Sequence, residues 1–322
     1  MEPTLAQLGE DRAIALISET LADVPMPEGW IGIGDDAAVT TLAPGLQAVT
    51  TTDILVEDVH FRRNTTSARE LGWKAIAVNV SDVASMGALP RWATISVALP
   101  KDCSAAWVRE LYLGIADASR AVGLAIVGGD TTGSPGPLMV SVTVVGETER
   151  PLLRSGAQAG DVVCVTGSVG DSAAGLWLLE HDGEVPLSDA DAQALRRAHR
   201  LPRPHVAEGR ALARTPYRLS VLDNSDGLGR SALILAQANR VTVELEASHL
   251  PMSEAMKALA AYTGRDPLDW ALWGGEDYNL VLSVEPAGLD TLRQAVETAG
   301  GKLFEVGSME EGPAIAVLKK DG

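Results

Sequence analysis

Residues 148–161 read TERPLLRSGAQAGD, a polar stretch broken by proline and glycine that separates two halves of alternating apolar pattern. A chain of 322 residues is longer than one hydrophobic core ordinarily fills, so this break is read as the boundary between two domains, 1–149 and 150–322. In the first half, Leu5, Leu8, Ile14, Ile17 and Leu21 recur at helical spacing and predict a helix over 4–24. Residues 46–57, rich in Val and Thr, predict a strand. Residues 67–88 predict a helix with Ser67 as N-cap, and 93–100 a strand with Ile95, Val97 and Leu99 on one face. Ser104 caps a further helix that Gly123 stops after Val122, and strands follow at 124–130 and 138–147. The second half predicts strands at 161–167, 218–223, 241–247 and 278–284, with two more to close the chain. Its helices are expected at 172–183, after Ser188, and at 229–239, 253–264 and 287–299. Strands and helices intermix in both halves, so the fold class is α/β or α+β.

Composition narrows the function. Apolar content of 46% and charged content of 21% are those of a soluble globular protein. No apolar run approaches the roughly 20 residues of a membrane span, and the acidic opening MEPTLAQLGED lacks the features of a secretory signal. Cys103 and Cys164 stand alone, which points to a reducing compartment, the cytoplasm. A net charge of −17 argues against nucleic acid as partner. It also means that anionic substrates require cations recruited locally.

The acidic residues are not spread evenly. Asp35 and Asp36 lie in GIGDDAAV, Asp53 in TTTDILVEDVHF, Asp82 in NVSDVASMGA and Asp130 in VGGDTTG. Asp223 and Asp226 lie in LDNSDGL, and Glu276 and Asp277 in WGGEDYNL. Each pattern alone is also a common turn or cap. Six of them, at strand ends and beside glycines, suit a site for hard cations such as Mg²⁺, which takes oxygen ligands shared with substrate phosphates.

Other phosphate and metal motifs fail on inspection. Counted from Asp223, the EF-hand positions for Gly and Glu hold Leu228 and Ile234. The single Gly-Lys pair, Gly301-Lys302, is followed by Leu303, so there is no Walker A loop, and no His-Arg-Asp triplet is present. Gly32, Gly34 and Ala37 match a dinucleotide fingerprint, but Pro44 and Gly45 interrupt the helix it should open. Two adjacent aspartates there would repel a pyrophosphate held by amides alone, and a cation between them reverses the sign. His181, His199, His205 and His249 have no zinc spacing, and His60, taken alone, reads as a packing or surface histidine. Trp73, Trp107, Trp177 and Trp270 sit in helical patterns and are read as core.

Taken in order, GIGDDAAV, TTDILVEDVHF, NVSDVASMGALP, VGGDTT, DNSDGL and GGEDYNL resemble the thiamine-monophosphate kinases, within the aminoimidazole-ribonucleotide-synthetase superfamily. The resemblance runs from about residue 9 to about 282. It implies a two-domain fold: an N-terminal domain whose mixed sheet pairs with its mate in a homodimer, and a C-terminal α+β domain, with ATP in the groove between. It implies Mg²⁺ ligands at Asp36, Thr51, Thr52, Asp53, Asp82, Asp130, Asp223 and Asp226, for several ions. It further implies ATP contacts at Gly129, Asp130, Arg154 and Ser225, and thiamine-phosphate contacts at His60 and Glu276. Asn224 and Asp58 depart from the family's usual residues without removing a ligand. No aromatic follows Phe304, where the family tends to place one over the substrate's ring.

The implied reaction is Mg²⁺-dependent, direct in-line transfer of the ATP γ-phosphate to thiamine phosphate, with no general base assigned. The six lysines lie outside the acidic motifs, so carboxylate-held metal takes the role that P-loop enzymes give partly to lysine. Three relatives stand as alternatives: aminoimidazole-ribonucleotide synthetase, selenophosphate synthetase and the hydrogenase-maturation enzyme. The second wants an N-terminal Cys and the third a C-terminal one, and neither is present. A non-catalytic Mg²⁺–nucleotide-binding regulator needs the same ligands and stays open at this point.

Overall fold

The computed structural model describes residues 10–31, 33, 38–181, 183 and 185–320. Chain packing divides it into two compact units, Met1–Val83 with Leu89–Glu149, and Ala84–Ala88 with Arg150–Gly322.

In the first unit, α1 (Glu10–Thr20) precedes a four-stranded mixed sheet of order β1-β4-β2-β3. Its strands are β1 (Gln47–Val56), β2 (Leu89–Pro100), β3 (Ala125–Ser134) and β4 (Met139–Thr148). β4 runs antiparallel to both β1 and β2. β2 and β3 are parallel, which requires a crossover, and α3 (Ala105–Val122) supplies it. The expected alternation in β2 is present: Ala93, Ile95, Val97 and Leu99 are buried between more exposed neighbours. α2 (Ala68–Ser85) opens on a capping box. The Ser67 N–H donates to Glu70 Oε2 at 2.8 Å, and the Glu70 N–H donates to Ser67 Oγ at 3.3 Å. α2 ends short of residue 88 because Gly87, at φ 65°, turns the chain. α2 and α3 cross closely through two glycines. A Cβ on Gly72 would sit 2.0 Å from the Leu111 oxygen, and one on Gly114 1.9 Å from the Arg69 oxygen.

The second unit is built on a six-stranded sheet of order β10-β7-β9-β5-β8-β6. Its strands are β5 (Val162–Val165), β6 (Leu219–Asp223), β7 (Thr242–Glu246), β8 (Leu280–Val284), β9 (Phe304–Glu310) and β10 (Ala316–Lys319). β7 and β10 pair in parallel, and the other pairs are antiparallel. Its helices are α4 (Asp171–Glu180), α5 (Asp189–Arg200), α6 (Val206–Ala213), α7 (Leu228–Asn239), α8 (Glu254–Thr263), α9 (Pro267–Trp273) and α10 (Leu289–Thr298). Val163, Val165 and Val281 pack with Leu228, Ala232 and Leu235 of α7 on one face. Cys164, Leu280 and Leu282 pack with Leu212 of α6 and Leu292 and Val296 of α10 on the other. Burial on both faces explains why LVLSV in β8 is apolar without alternation.

Two helices were not foreseen, α6 and α9. The second carries a start signal: the Asp266 side chain accepts the Leu268 N–H, and Pro267 follows at the first helical position. β8 begins at Leu280 rather than at 278, because Glu276 and Tyr278 both take positive φ, 59° and 53°. Of the tryptophans read as core, Trp270 is buried, whereas Trp73, Trp107 and Trp177 are half-buried. Among the described residues no helix is long and apolar enough to cross a membrane.

Candidate functional site

Most of the first unit's candidates lie on β1 and on the helix behind it. Successive side chains of a strand point to opposite faces. Thr51 and Asp53 therefore share a face, and it is the face toward α2. Thr51 donates its hydroxyl to Asp82 Oδ2 at 2.6 Å. The Asp53 N–H donates to Asn79 Oδ1 at 2.8 Å, and Asn79 Nδ2 donates to the Ala75 oxygen one turn back. Asn79 and Asp82 stand three residues apart on one helical face, so a single helix sets both β1 residues. Thr52 faces the other way. Its hydroxyl donates to the Val142 oxygen at 3.1 Å and accepts from Thr143 at 3.0 Å.

Asp53 is exposed at the sheet edge, yet partial desolvation of its carboxyl raises it above the usual carboxylate range, and the Asp82 charge adds to the rise while His60 partly opposes it. Two neighbouring carboxylates, one of them bound by the Thr51 hydroxyl, are an all-oxygen donor set, and a hard dication relieves their repulsion. These residues fit Mg²⁺. Among the described residues no three His, Cys, Asp or Glu side chains form a ready-made metal cluster. Asp36, with Asp35, lies outside the described residues.

His60 follows a tight turn in which Asp58 takes φ 65°. Its Nδ1 accepts the Val56 N–H at 3.1 Å, which places the ring proton on Nε2. The exposed His60 can thus present an N–H donor to an anion.

Gly129 and Asp130 lie on β3, at the opposite edge of the sheet from β1. The register aligns Asp53 with Val142, Val142 with Ile95, and Ile95 with Gly129. Three strand spacings separate the ends of that row, roughly 14 Å. Within one chain, then, the sheet does not bring Asp53 and Asp130 onto one ion. Gly129 also has a packing reason to be glycine, since a Cβ there would meet the Ile95 oxygen at 1.9 Å.

In the second unit two loops are clipped together. One follows β6 and carries Asp223, Ser225 and Asp226; the other precedes β8 and carries Glu276. The Asn224 N–H donates to the Asn279 oxygen at 2.8 Å, and the Tyr278 N–H returns to the Asn224 oxygen at 3.1 Å. The Glu276 N–H donates to the Ser225 oxygen at 2.7 Å. Ser225 and Glu276 are thereby adjacent, with Asp226 exposed and Asp223 buried at the strand end. Arg154 is exposed, and its backbone is fastened elsewhere: its oxygen accepts Asn239 Nδ2 at 2.9 Å, at the far end of α7 from Ser225. The 12 residues of α7 put about 18 Å between those ends.

Asn79 was not among the candidates, and Asp277, quoted beside Glu276 in its motif, was given no role. Asn79 lies inside the quoted NVSDVASMGA, and its helical spacing from Asp82 was the available signal. Asp277 accepts N–H groups from Gly170 at 2.8 Å and Ser172 at 3.3 Å, around the start of α4. Burial nonetheless pushes its carboxyl up to about 7. His199 and Ser172 stand beside Glu276, and no local pattern marks either of them.

The chain is similar to known proteins along most of its length. The family described as AIR synthase related protein matches through its N-terminal domain over residues 34–148 and its C-terminal domain over 158–320. The thiamine-monophosphate kinase of Bacillus subtilis (strain 168) is 35% identical over 292 residues, covering 90% of this chain and 88% of that protein. The crystal structure of thiamine-monophosphate kinase from Stenotrophomonas maltophilia K279a superposes with a TM-score of 0.81 at 34% identity, covering 96% of this chain and 95% of that one. The structure of AaThiL complexed with AMPPCP and TMP superposes with a TM-score of 0.77 at 36% identity, covering 99% of this chain and 96% of that one.

Proposed function

The chain belongs to the AIR synthase related family, and we infer that within it the chain is a thiamine-phosphate kinase, transferring the ATP γ-phosphate to thiamine phosphate to give thiamine diphosphate and ADP. The observation that carries this reading is the likeness to thiamine-monophosphate kinases along nearly the whole chain, including one complexed with AMPPCP and TMP. No observation favours another activity of the superfamily or a non-catalytic role.

In this reading 1–149 is the ATP- and metal-binding, dimerising domain, and 150–322 is the C-terminal α+β domain. A homodimer paired through the first unit's sheet would cover the open edges of β1 and β3. Mg²⁺ would be held by Thr51, Thr52, Asp53, Asp82 and Asp130 of the first unit, by Asp223 and Asp226 of the second, and by Asp36. When bound, it supplies neutralisation of the phosphate charge, which is the main obstacle to bringing two polyanions into line.

The chain's own residues do the rest. Thr51 holds the Asp82 carboxylate and Asn79 holds the Asp53 backbone, so that carboxylate and the strand bearing Asp53 are set before substrate arrives. Gly129, Asp130, Arg154 and Ser225 are assigned to ATP, and His60 and Glu276 to thiamine phosphate. A phosphomonoester, with a second pKa of about 6, is mostly ionised at neutral pH and attacks without a general base. His60 therefore serves as a donor that orients the acceptor rather than as a base.

The test is incubation of the purified protein with ATP, Mg²⁺ and thiamine phosphate, following thiamine diphosphate by fluorescence after oxidation. Product dependent on all three supports the reading. Nucleotide binding without product would reject it in favour of a binding role or a different acceptor.

A further inference from the structure

Glu276 occupies an unusual position. Its backbone takes φ 59°, a region that non-glycine residues seldom enter, and the bond from its N–H to Ser225 holds it there. The side chain turns inward at its tip. Glu276 Oε2 lies 3.2 Å from His199 Nδ1, and the same Nδ1 lies 3.2 Å from Ser172 Oγ. Ser172 and His199 are 1% and 4% exposed, whereas the Glu276 side chain keeps 25% of its surface. An ionised carboxylate only accepts, so the contact is a hydrogen bond to Glu276 in the His199 tautomer that carries its proton on Nδ1, in which Ser172 Oγ is a second acceptor. Ser172 is itself fixed by its N–H to Asp277, the next residue of the same loop. A buried pair thus grips a partly exposed carboxylate in a strained loop, an arrangement that fixes direction rather than bulk.

We propose that His199, seated by Ser172, is a positioning residue that aims the Glu276 carboxylate at the acceptor's cationic, amino-bearing end. The proposal rests on the reading of Glu276 as a thiamine-phosphate contact. The acceptor combines a thiazolium cation with an aminopyrimidine, and a carboxylate held from behind is a fitting partner for either. Neither His199 nor Ser172 touches substrate. Their effect passes through Glu276, so it belongs to acceptor binding and leaves ATP binding and the transfer step alone.

Kinetics of His199→Leu, His199→Asn and Glu276→Gln, each with its thermal midpoint, test this. His199→Leu is expected to raise KM for thiamine phosphate about tenfold, as loss of a hydrogen bond to a charged group should, with kcat and KM for ATP within about twofold of the parent. His199→Asn, which places an amide N–H near the Nδ1 position, is expected to recover most of the loss. An unchanged acceptor KM in His199→Leu, while Glu276→Gln raises it, would overturn the positioning role and keep the reading of Glu276. A uniform loss in kcat and both KM values, with a lowered midpoint and no recovery in His199→Asn, would reduce His199 to a structural residue and also overturn the proposal. An unchanged acceptor KM in Glu276→Gln would instead remove the assignment of Glu276 on which the proposal stands.

Discussion

Thr51 on β1 donates its hydroxyl to Asp82 on α2 at 2.6 Å, tying the strand that bears Asp53 to the helix behind it. The tie holds two carboxylates near one another in spite of their like charge, and partial desolvation, together with that charge, raises the Asp53 carboxyl.

Asp53→Asn separates function from folding. A carboxylate whose folded-state pKa is raised adds stability below its unfolded value and loses it as pH rises through the folded one. Asp53 is exposed, so water screens most of this effect, and the ionised carboxylate costs the metal-free fold little at neutral pH. Turnover should fall at least about a hundredfold, while the thermal midpoint at pH 7 without metal stays level or rises. Thermal unfolding and steady-state assays of the same preparation check both. A lowered midpoint would contradict the electrostatic account.

Gly129→Ala is expected to fail through packing. The new methyl would meet the Ile95 backbone oxygen at 1.9 Å, and backbone cannot yield as a side chain can. A loss of about 1–3 kcal/mol or more is expected, read as a lower denaturant midpoint. A variant of parental stability with only a raised KM for ATP would show that Gly129 acts at the nucleotide alone.

His60→Ala removes a donor whose proton the Val56 N–H has placed on Nε2. The expected result is a rise of about tenfold or more in KM for thiamine phosphate, with kcat largely kept. A large fall in kcat alone would mean that His60 acts in the transfer step.

The fold was legible where local chemistry is decisive. Ser104 and Gly123 bound α3 as expected, with Ser104 accepting the Trp107 N–H and Gly123 at φ 70°. Ser188 caps α5 by accepting the Asp191 N–H. The alternation of Ile95, Val97 and Leu99 follows from a pleated strand with one buried face. The β8 boundary was misplaced because the loop's positive φ values arise from bonds to Ser225 and Asn224, far back in the sequence. The same limit hid His199, whose tie to Glu276 joins distant segments and leaves no periodic trace. The site's residue types were visible as acidic motifs. Their grouping was not, since the roughly 14 Å between Asp53 and Asp130 depends on strand order and register, which only pairing reveals.

Asp277 carries a pH signature. Its carboxyl stands at about 7 in the folded protein against about 3.9 unfolded. Its contribution to stability is full below about pH 4 and is lost as pH rises through about 7. Thermal midpoints measured across that window should fall with pH in the parent and more weakly in Asp277→Asn, which cannot titrate. The variant should also lose about 1–3 kcal/mol at low pH, where one backbone N–H at the start of α4 faces an amide NH₂ in place of an oxygen. Identical pH slopes would contradict the assignment.

The central claim is direct transfer to thiamine phosphate, and the fate of a labelled γ-phosphate tests it most directly. With ATP labelled at that position, Mg²⁺ and thiamine phosphate, the account predicts label in thiamine diphosphate, one equivalent for each ADP formed. Label released as inorganic phosphate, with thiamine phosphate unchanged, would contradict it.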